Sequence, residues 1–189
     1  MNNLEQILAA NQKFVKDLPA EYIRCSTEIS KLPQRQLAIF TCMDTRLVDF
    51  LEPAMGIKRG EVKVIKNAGN SVTGPFEATI RSLVVGIFEL GVNEIIVIGH
   101  KDCGMSQTNS RRLVEKMLAR GIAGEAIQMI EKELEDWVDH FQHPEDNVRD
   151  VVKRISTNPL IPKDVPVHGL LFNPHTGELD IIVNGYRNF

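Results

Sequence analysis

Short apolar runs alternate along this chain with longer stretches in which apolar residues recur every three or four positions. Leu37-Ala38-Ile39-Phe40 and Ile95-Ile96-Val97-Ile98 are continuous apolar runs of strand length, the kind that a parallel sheet covered on both faces requires. Glu61 to Lys66 reads as a strand between them. Leu47, Phe50, Leu51 and Ala54 mark one face of a short helix that Gly56 would stop. Phe76, Ile80, Leu83, Val84, Ile87 and Leu90 form a wider stripe on a helix opened by Pro75 and ended by Gly91. Strand, helix, strand, helix, strand in that order predicts right-handed βαβ crossovers and a parallel sheet.

The flanks follow other patterns. Leu4, Ile7, Leu8, Phe14 and Val15 predict an amphipathic helix over residues 3 to 17, and Pro19 and Pro33 bracket a weakly patterned connection. Residues 106 to 157 are helical and charged, divided by Gly121 with Gly124 and again by Pro144; they are expected to cover the sheet. Val167 to Phe172 and Leu179 to Val183 predict a strand pair joined by the turn Asn173-Pro174-His175-Thr176-Gly177. The predicted fold is α/β: a mostly parallel central β-sheet flanked by helices, with an N-terminal helical extension and a C-terminal strand pair. One domain over residues 1–189 is expected, with 1–36 as the extension within it.

Aliphatic residues are plentiful and aromatics few, which suits helices packed on a sheet. A net charge of -3 offers no basic stripe for a phosphate backbone, so no nucleic-acid partner is expected. Met1 to Gln6 lacks the positive segment and apolar stretch of a secretory signal, and no apolar run approaches a membrane span; a cytoplasmic protein without a membrane role is expected. Three cysteines, an odd number in a chain of this size, favour metal or catalytic thiols over a disulfide framework. Cys25 has no ligand-like neighbour and reads as a structural thiol.

The other two cysteines change the picture. Cys42 follows the first strand and opens Cys42-Met43-Asp44-Thr45-Arg46; His100 and Cys103 follow the third in His100-Lys101-Asp102-Cys103. Zinc favours thiolate and imidazole, and a catalytic site supplies three protein ligands with a fourth position open, so Cys42, His100 and Cys103 form a candidate set. Zinc fingers draw close ligand pairs from small loops; ligands divided between two strand ends point instead to a site inside an enzyme core. Asp44 can orient a nucleophile there, and the guanidinium of Arg46, held in a bidentate pair, would keep it ionised. The competing reading is that Asp44 merely caps the following helix and Arg46 pairs with it.

Thr41 to Arg46, Val64 to Asn70, Ser82-Leu83, Leu90-Gly91-Val92 and Gly99 to Met105 together resemble the β-class carbonic anhydrases, and Gly169 with Thr176 to Leu179 is similar to that family's closing strands. The length, with Met43 and Met105, is most similar to its compact prokaryotic members. The resemblance implies one zinc per chain on Cys42, His100 and Cys103, and an Asp44/Arg46 dyad orienting a zinc-bound hydroxide. The implied activity is that of a lyase, the reversible hydration of carbon dioxide to bicarbonate and a proton. It also implies a homodimer or an assembly of dimers, and in some members a closed state with the aspartate as fourth ligand. The chain departs from the family pattern at Lys66, commonly arginine, and at Ile39, where members with a regulatory bicarbonate site carry tryptophan; no such site is expected here.

Three alternatives accompany this reading: the same zinc chemistry on carbonyl sulfide or carbon disulfide, a closed non-catalytic zinc site, and a metal-free thiol enzyme. The last lacks the Cys-x5-Arg spacing a phosphatase needs. His140, His143, His168, His175 and Trp137 are expected to be structural or exposed, and the glycines between Gly69 and Gly74 lack the lysine of a phosphate-binding loop.

Overall fold

Five strands, β1 (Leu37–Cys42), β2 (Val62–Asn67), β3 (Glu94–His100), β4 (Val167–Phe172) and β5 (Leu179–Val183), make one sheet in the order β2-β1-β3-β4-β5. The first four run parallel, and β5 closes the edge antiparallel to β4 with a register shift at Gly169/Leu170. This computed structural model describes residues 2–20, 22 and 30–187. The chain divides into two units, residues 1–31 and 32–189.

The sheet explains where a site can form. From β1 the chain crosses to β2 on one side, and β3 then enters on the other side of β1, so the crevice beyond the carboxyl ends of β1 and β3 is a topological switch point. Both strands are buried because both sheet faces are covered, which is why they read as unbroken apolar runs. On one face, Ala38, Phe40, Ile95 and Val97 pack with Ile80 and Leu83 of α3 (Ala78–Leu90) and with Val148, Val151, Val152 and Ile155 of α7 (Pro144–Ser156). On the other, Leu37, Ile39, Ile98 and Phe172 pack with Leu47 and Leu51.

Two local expectations need correction. The segment after Cys42 is a 3-10 turn, Thr45–Leu47, and a separate helix α2, Leu51–Ala54. Val48 is extended and Asp49 adopts φ 54°, so the two pieces cannot share one axis, and Ala54 faces solvent. Helix α3 begins at Ala78, not at Pro75. The Glu77 carboxylate accepts from Thr79 N and Ile80 N, satisfying two first-turn donors, and this cap outcompetes the proline. Gly91 ends the helix in the left-handed conformation, as the pattern predicts.

The charged region contains α4 (Ser110–Ala119), α5 (Gly124–Gln128), α6 (Glu131–Val138) and α7. Of these, α7 lies on β3, β4 and β5, whereas α4 packs against α6. In the first unit, α1 (Asn3–Lys16) starts with a reciprocal cap between Asn2 and Glu5 and has no buried residue; Leu4, Ile7, Leu8 and Val15 are exposed. Most of the connection between Pro19 and Pro33, including Cys25, lies outside the described residues. Among the described residues no helix is long and apolar enough to cross a membrane.

Candidate metal centre

Cys42 is the last residue of β1 and His100 the last of β3, and the parallel pairing of these strands brings the two ends together. Asp102, at φ 55°, turns the chain so that Cys103 comes back to them. One ligand atom each from Cys42, His100 and Cys103 lies within 4.8 Å of the others, and all three residues are buried. The two sulfurs are 3.9 Å apart.

The histidine tautomer follows from its partners. Nδ1 lies 3.0 Å from the Lys101 carbonyl oxygen, which can only accept, so Nδ1 carries the hydrogen and Nε2 presents a lone pair. That Nε2 is fully buried and has no hydrogen-bond partner. An orphaned buried acceptor is costly unless something binds it. The sulfurs carry the same message. The thiol of Cys103, with the backbone N–H groups of Gly69 and Asp44, holds Cys42 well below the usual thiol range against the opposing effect of burial. The Cys42 thiolate and burial push Cys103 up. The ionised Cys42 sulfur thus opposes the ionisation of Cys103 at 3.9 Å, where a divalent cation would satisfy both. Burial works against a charge on His100, yet the Cys42 thiolate raises it overall. A soft, convergent donor set with an unpaired nitrogen fits a zinc ion.

Asp44 and Arg46 stand at the mouth. Arg46 donates from Nε to Asp44 Oδ1 at 3.0 Å and from Nη2 to Asp44 Oδ2 at 2.8 Å, and its backbone N–H also reaches Oδ1 at 2.9 Å. Asp44 therefore caps the Thr45–Leu47 turn and pairs with Arg46, both of which the competing reading also held, and the pairing is bidentate. Arg46 holds its carboxyl down to about 2. Asp44 Oδ2 is 3.7 Å from His100 Nε2, on the side of the ligand atoms.

Several contributors were not visible in the sequence. Asp102 accepts from Arg46 at both its carboxylate, 2.9 Å, and its carbonyl, 2.7 Å, so the guanidinium is clamped from two sides. The only hint was its place between two candidate ligands. The backbone N–H of Met105 lowers the Cys103 pKa and that of Gly69 lowers the Cys42 pKa; the small residues from Asn67 to Ser71 signal a close backbone approach, and no sequence signal marks Met105. Lys66 pairs with Glu52 at 3.1 Å, and Ile39 is fully buried in the core. His140 lies 3.5 Å from Asp150, and His175 sits in the exposed hairpin turn, so neither joins the centre. His143 precedes α7 at its cap position, and Trp137 lines a separate cleft of about 390 Å³ with Glu133 and Arg154.

Residues 37–179 match the carbonic anhydrase family. The whole chain aligns with the whole of YtiB of Bacillus subtilis, named as a candidate carbonic anhydrase, at 46% identity over 191 residues. The crystal structure of β-carbonic anhydrase isoform I from Trichomonas vaginalis is also 46% identical; it superposes with a TM-score of 0.91, with 98% of this chain and 100% of that one covered. A carbon disulfide hydrolase of Acidithiobacillus thiooxidans is 30% identical over 157 residues, 77% of this chain and 76% of that protein. The chain belongs to the β-class carbonic anhydrase family.

Proposed function

We propose that this enzyme catalyses the reversible hydration of carbon dioxide to bicarbonate and a proton, with one zinc ion per chain held by Cys42, His100 and Cys103. The observation that carries this reading is the buried, unpartnered Nε2 of His100 beside two sulfurs. Zinc, when bound, supplies the Lewis acidity that brings the pKa of a water molecule toward neutrality. Two thiolates cancel most of a divalent charge, so hydrogen bonds around the ligands govern much of the reactivity.

Asp44 accepts a hydrogen bond from the attacking water and aims its lone pair at the substrate carbon. A carboxyl held at about 2 stores a proton poorly at neutral pH, so its part is orientation, and the proton leaves to solvent or buffer. Arg46 keeps the carboxylate ionised and fixes its plane through the bidentate fork, while Asp102 fixes Arg46. The same carboxylate is close enough to the ligand atoms to serve as fourth ligand in a closed state.

We also assign the chain to a homo-oligomer, a dimer or assembly of dimers, because α1 leaves Leu4, Ile7, Leu8 and Val15 uncovered. A cytoplasmic setting suits two free sulfurs held 3.9 Å apart.

A second reading, hydrolysis of carbon disulfide or carbonyl sulfide, draws on the similarity to the Acidithiobacillus hydrolase. These substrates are linear electrophiles that the same centre could attack. Metal content and stopped-flow hydration, measured together from acid to alkaline pH, test the main reading. Stoichiometric zinc and an activity abolished by Cys42→Ala are expected. Activity that survives Cys42→Ala would overturn the reading, and carbon disulfide turnover without carbon dioxide hydration would favour the second one.

A further inference from the structure

Cys42 lies beside a turn, Ala68–Asn70, that has a glycine at its centre. It pairs in register with Asn67, which leads into that turn, and the Asn67 carbonyl oxygen accepts the N–H of Met43, the residue after Cys42, at 2.9 Å. Gly69 stands at φ 70°, a conformation that glycine adopts freely and other residues rarely do. A Cβ there would lie 2.8 Å from Met105 Cγ and 3.1 Å from Phe141 Cε2, so the close packing also demands glycine. The apex of the turn beside Cys42 is therefore its most conformationally free residue, and a contact from outside the turn is needed to fix it.

The turn's own contacts pin its ends. Asn67 Nδ2 donates to Ser71 O at 2.9 Å, and Ser71 N donates to Asn67 Oδ1 at 3.0 Å, closing the loop at its base. At the apex, the Gly69 carbonyl has one donor within the loop, Ser71 Oγ, at a long 3.4 Å. The better donor comes from far along the chain: Asn147 Nδ2, 3.0 Å away, on the first turn of α7.

Helix α7 is well suited to act as a fixed reference. The neighbouring Val148 is fully buried where two strands lack side chains: a Cβ on Gly99 would fall 2.6 Å from Val148 Cγ2, and one on Gly169 2.7 Å from Val148 Cγ1. Gly99 immediately precedes His100. One helical turn thus sits on the strand that carries His100 and reaches the loop that serves Cys42.

We propose that Asn147 is a positioning residue for the metal ligand Cys42, acting through the Gly69 turn, an inference that rests on the metal-site reading above. By fixing the Gly69 carbonyl it holds the turn against the end of β1 that carries Cys42, and it ties the two ligand-bearing strands to one helix. Outer partners of this kind typically contribute about 10–100-fold in metal affinity.

Asn147→Asp tests this with almost no change of shape, since it removes both N–H donors and sets a carboxylate against a carbonyl. The readings are zinc affinity of the full chain by chelator competition, the thiolate-to-metal charge-transfer bands of the cobalt(II)-substituted protein, and melting of the metal-free protein. We expect zinc to be held about 10–100-fold more weakly, with shifted cobalt bands. Unchanged affinity, or unchanged bands, would overturn the proposal even if melting falls, because a purely structural contact moves stability alone. Should the aspartate variant not fold, Asn147→Ala removes the same donor without adding charge and is read in the same way. A wild-type chain that takes up no zinc would overturn the metal-site reading instead.

Discussion

His100 and His168 stand on the adjacent parallel strands β3 and β4, both buried, at 0% and 8% exposure, but toward opposite ends of the sheet, with His168 level with Ile96. Their nitrogens are committed in opposite ways. At His100 a backbone carbonyl takes the Nδ1 hydrogen and leaves the Nε2 lone pair facing two sulfurs. At His168 the backbone N–H of Gly185 donates to Nδ1 at 3.1 Å, so the hydrogen belongs on Nε2. That Nε2 lies 3.1 Å from Glu94 Oε1 but off the line a hydrogen bond needs, and the ring packs edge-on against Tyr186 with centroids 4.5 Å apart. What distinguishes a candidate ligand from a structural histidine in this molecule is which backbone group meets Nδ1, because that choice decides whether Nε2 offers electrons or a proton.

The sharpest way to break this comparison is to replace each histidine by asparagine, whose amide can mimic the Nδ1 interaction at either place but cannot reach the Nε2 position. His100→Asn is expected to lose zinc, with a fall in affinity larger than the roughly 10–100-fold cost of losing an outer partner. His168→Asn should retain zinc and activity and lose about 1–3 kcal/mol of stability through the missing ring packing and the lost approach to Glu94. Metal analysis beside denaturant unfolding separates the two. Zinc loss in both variants, or in neither, would abolish the distinction.

A smaller effect is expected from the dyad. Arg46→Lys keeps the charge but not the fork that grips both oxygens of Asp44, so a fall of about 10–100-fold in kcat/KM with zinc retained is expected. Asp44→Asn should act similarly on turnover and also alter the acid side of the stability profile. Because the folded state lowers the Asp44 pKa from 3.8 to about 2, its contribution is fully present above 3.8 and disappears as pH falls through about 2. Urea midpoints measured over that window should fall more steeply with acid in the wild type than in Asp44→Asn. Parallel curves would show that the ion pair does not couple to folding.

The candidate triad of Cys42, His100 and Cys103 was legible because it combines two signals that need no tertiary knowledge: residue types with a narrow chemistry, and continuous apolar runs immediately before them. β1 and β3 are buried on both faces, so each leaves an unbroken run in the chain, and the order of elements made them parallel. Legibility failed where local rules compete. Pro75 and Glu77 are both plausible openings for α3, and the outcome depends on a carboxylate that can reach two amides and on Asn158, whose side chain takes the Pro75 carbonyl. The break between Leu47 and Leu51 rests on Asp49 adopting a positive φ, which aspartate tolerates without advertising it. Asp102, Gly69 and Asn147 gain their parts only through contacts between distant segments, and His168 and His100 look alike until Gly185 and Lys101 are placed beside them.

The smallest expected effect sharpens the structural half of the comparison. Tyr186 donates its hydroxyl hydrogen to Glu94 Oε1 at 2.8 Å, the same oxygen that His168 Nε2 approaches. The hydrogen bond to Glu94 raises the Tyr186 pKa, so whatever the bond contributes is present below the tyrosine's unfolded pKa and is lost as pH rises through the folded one. Tyr186 is 61% exposed, and solvent screening should hold that contribution below about 1 kcal/mol. Tyr186→Phe keeps the edge-on ring contact and removes only the hydroxyl. It should lower stability slightly at neutral pH, and its unfolding curve should converge with that of the wild type in alkali, with zinc content unchanged throughout. If the variant instead released zinc, the two ends of β3 would be coupled, and His168 could no longer be treated as independent of the centre at His100.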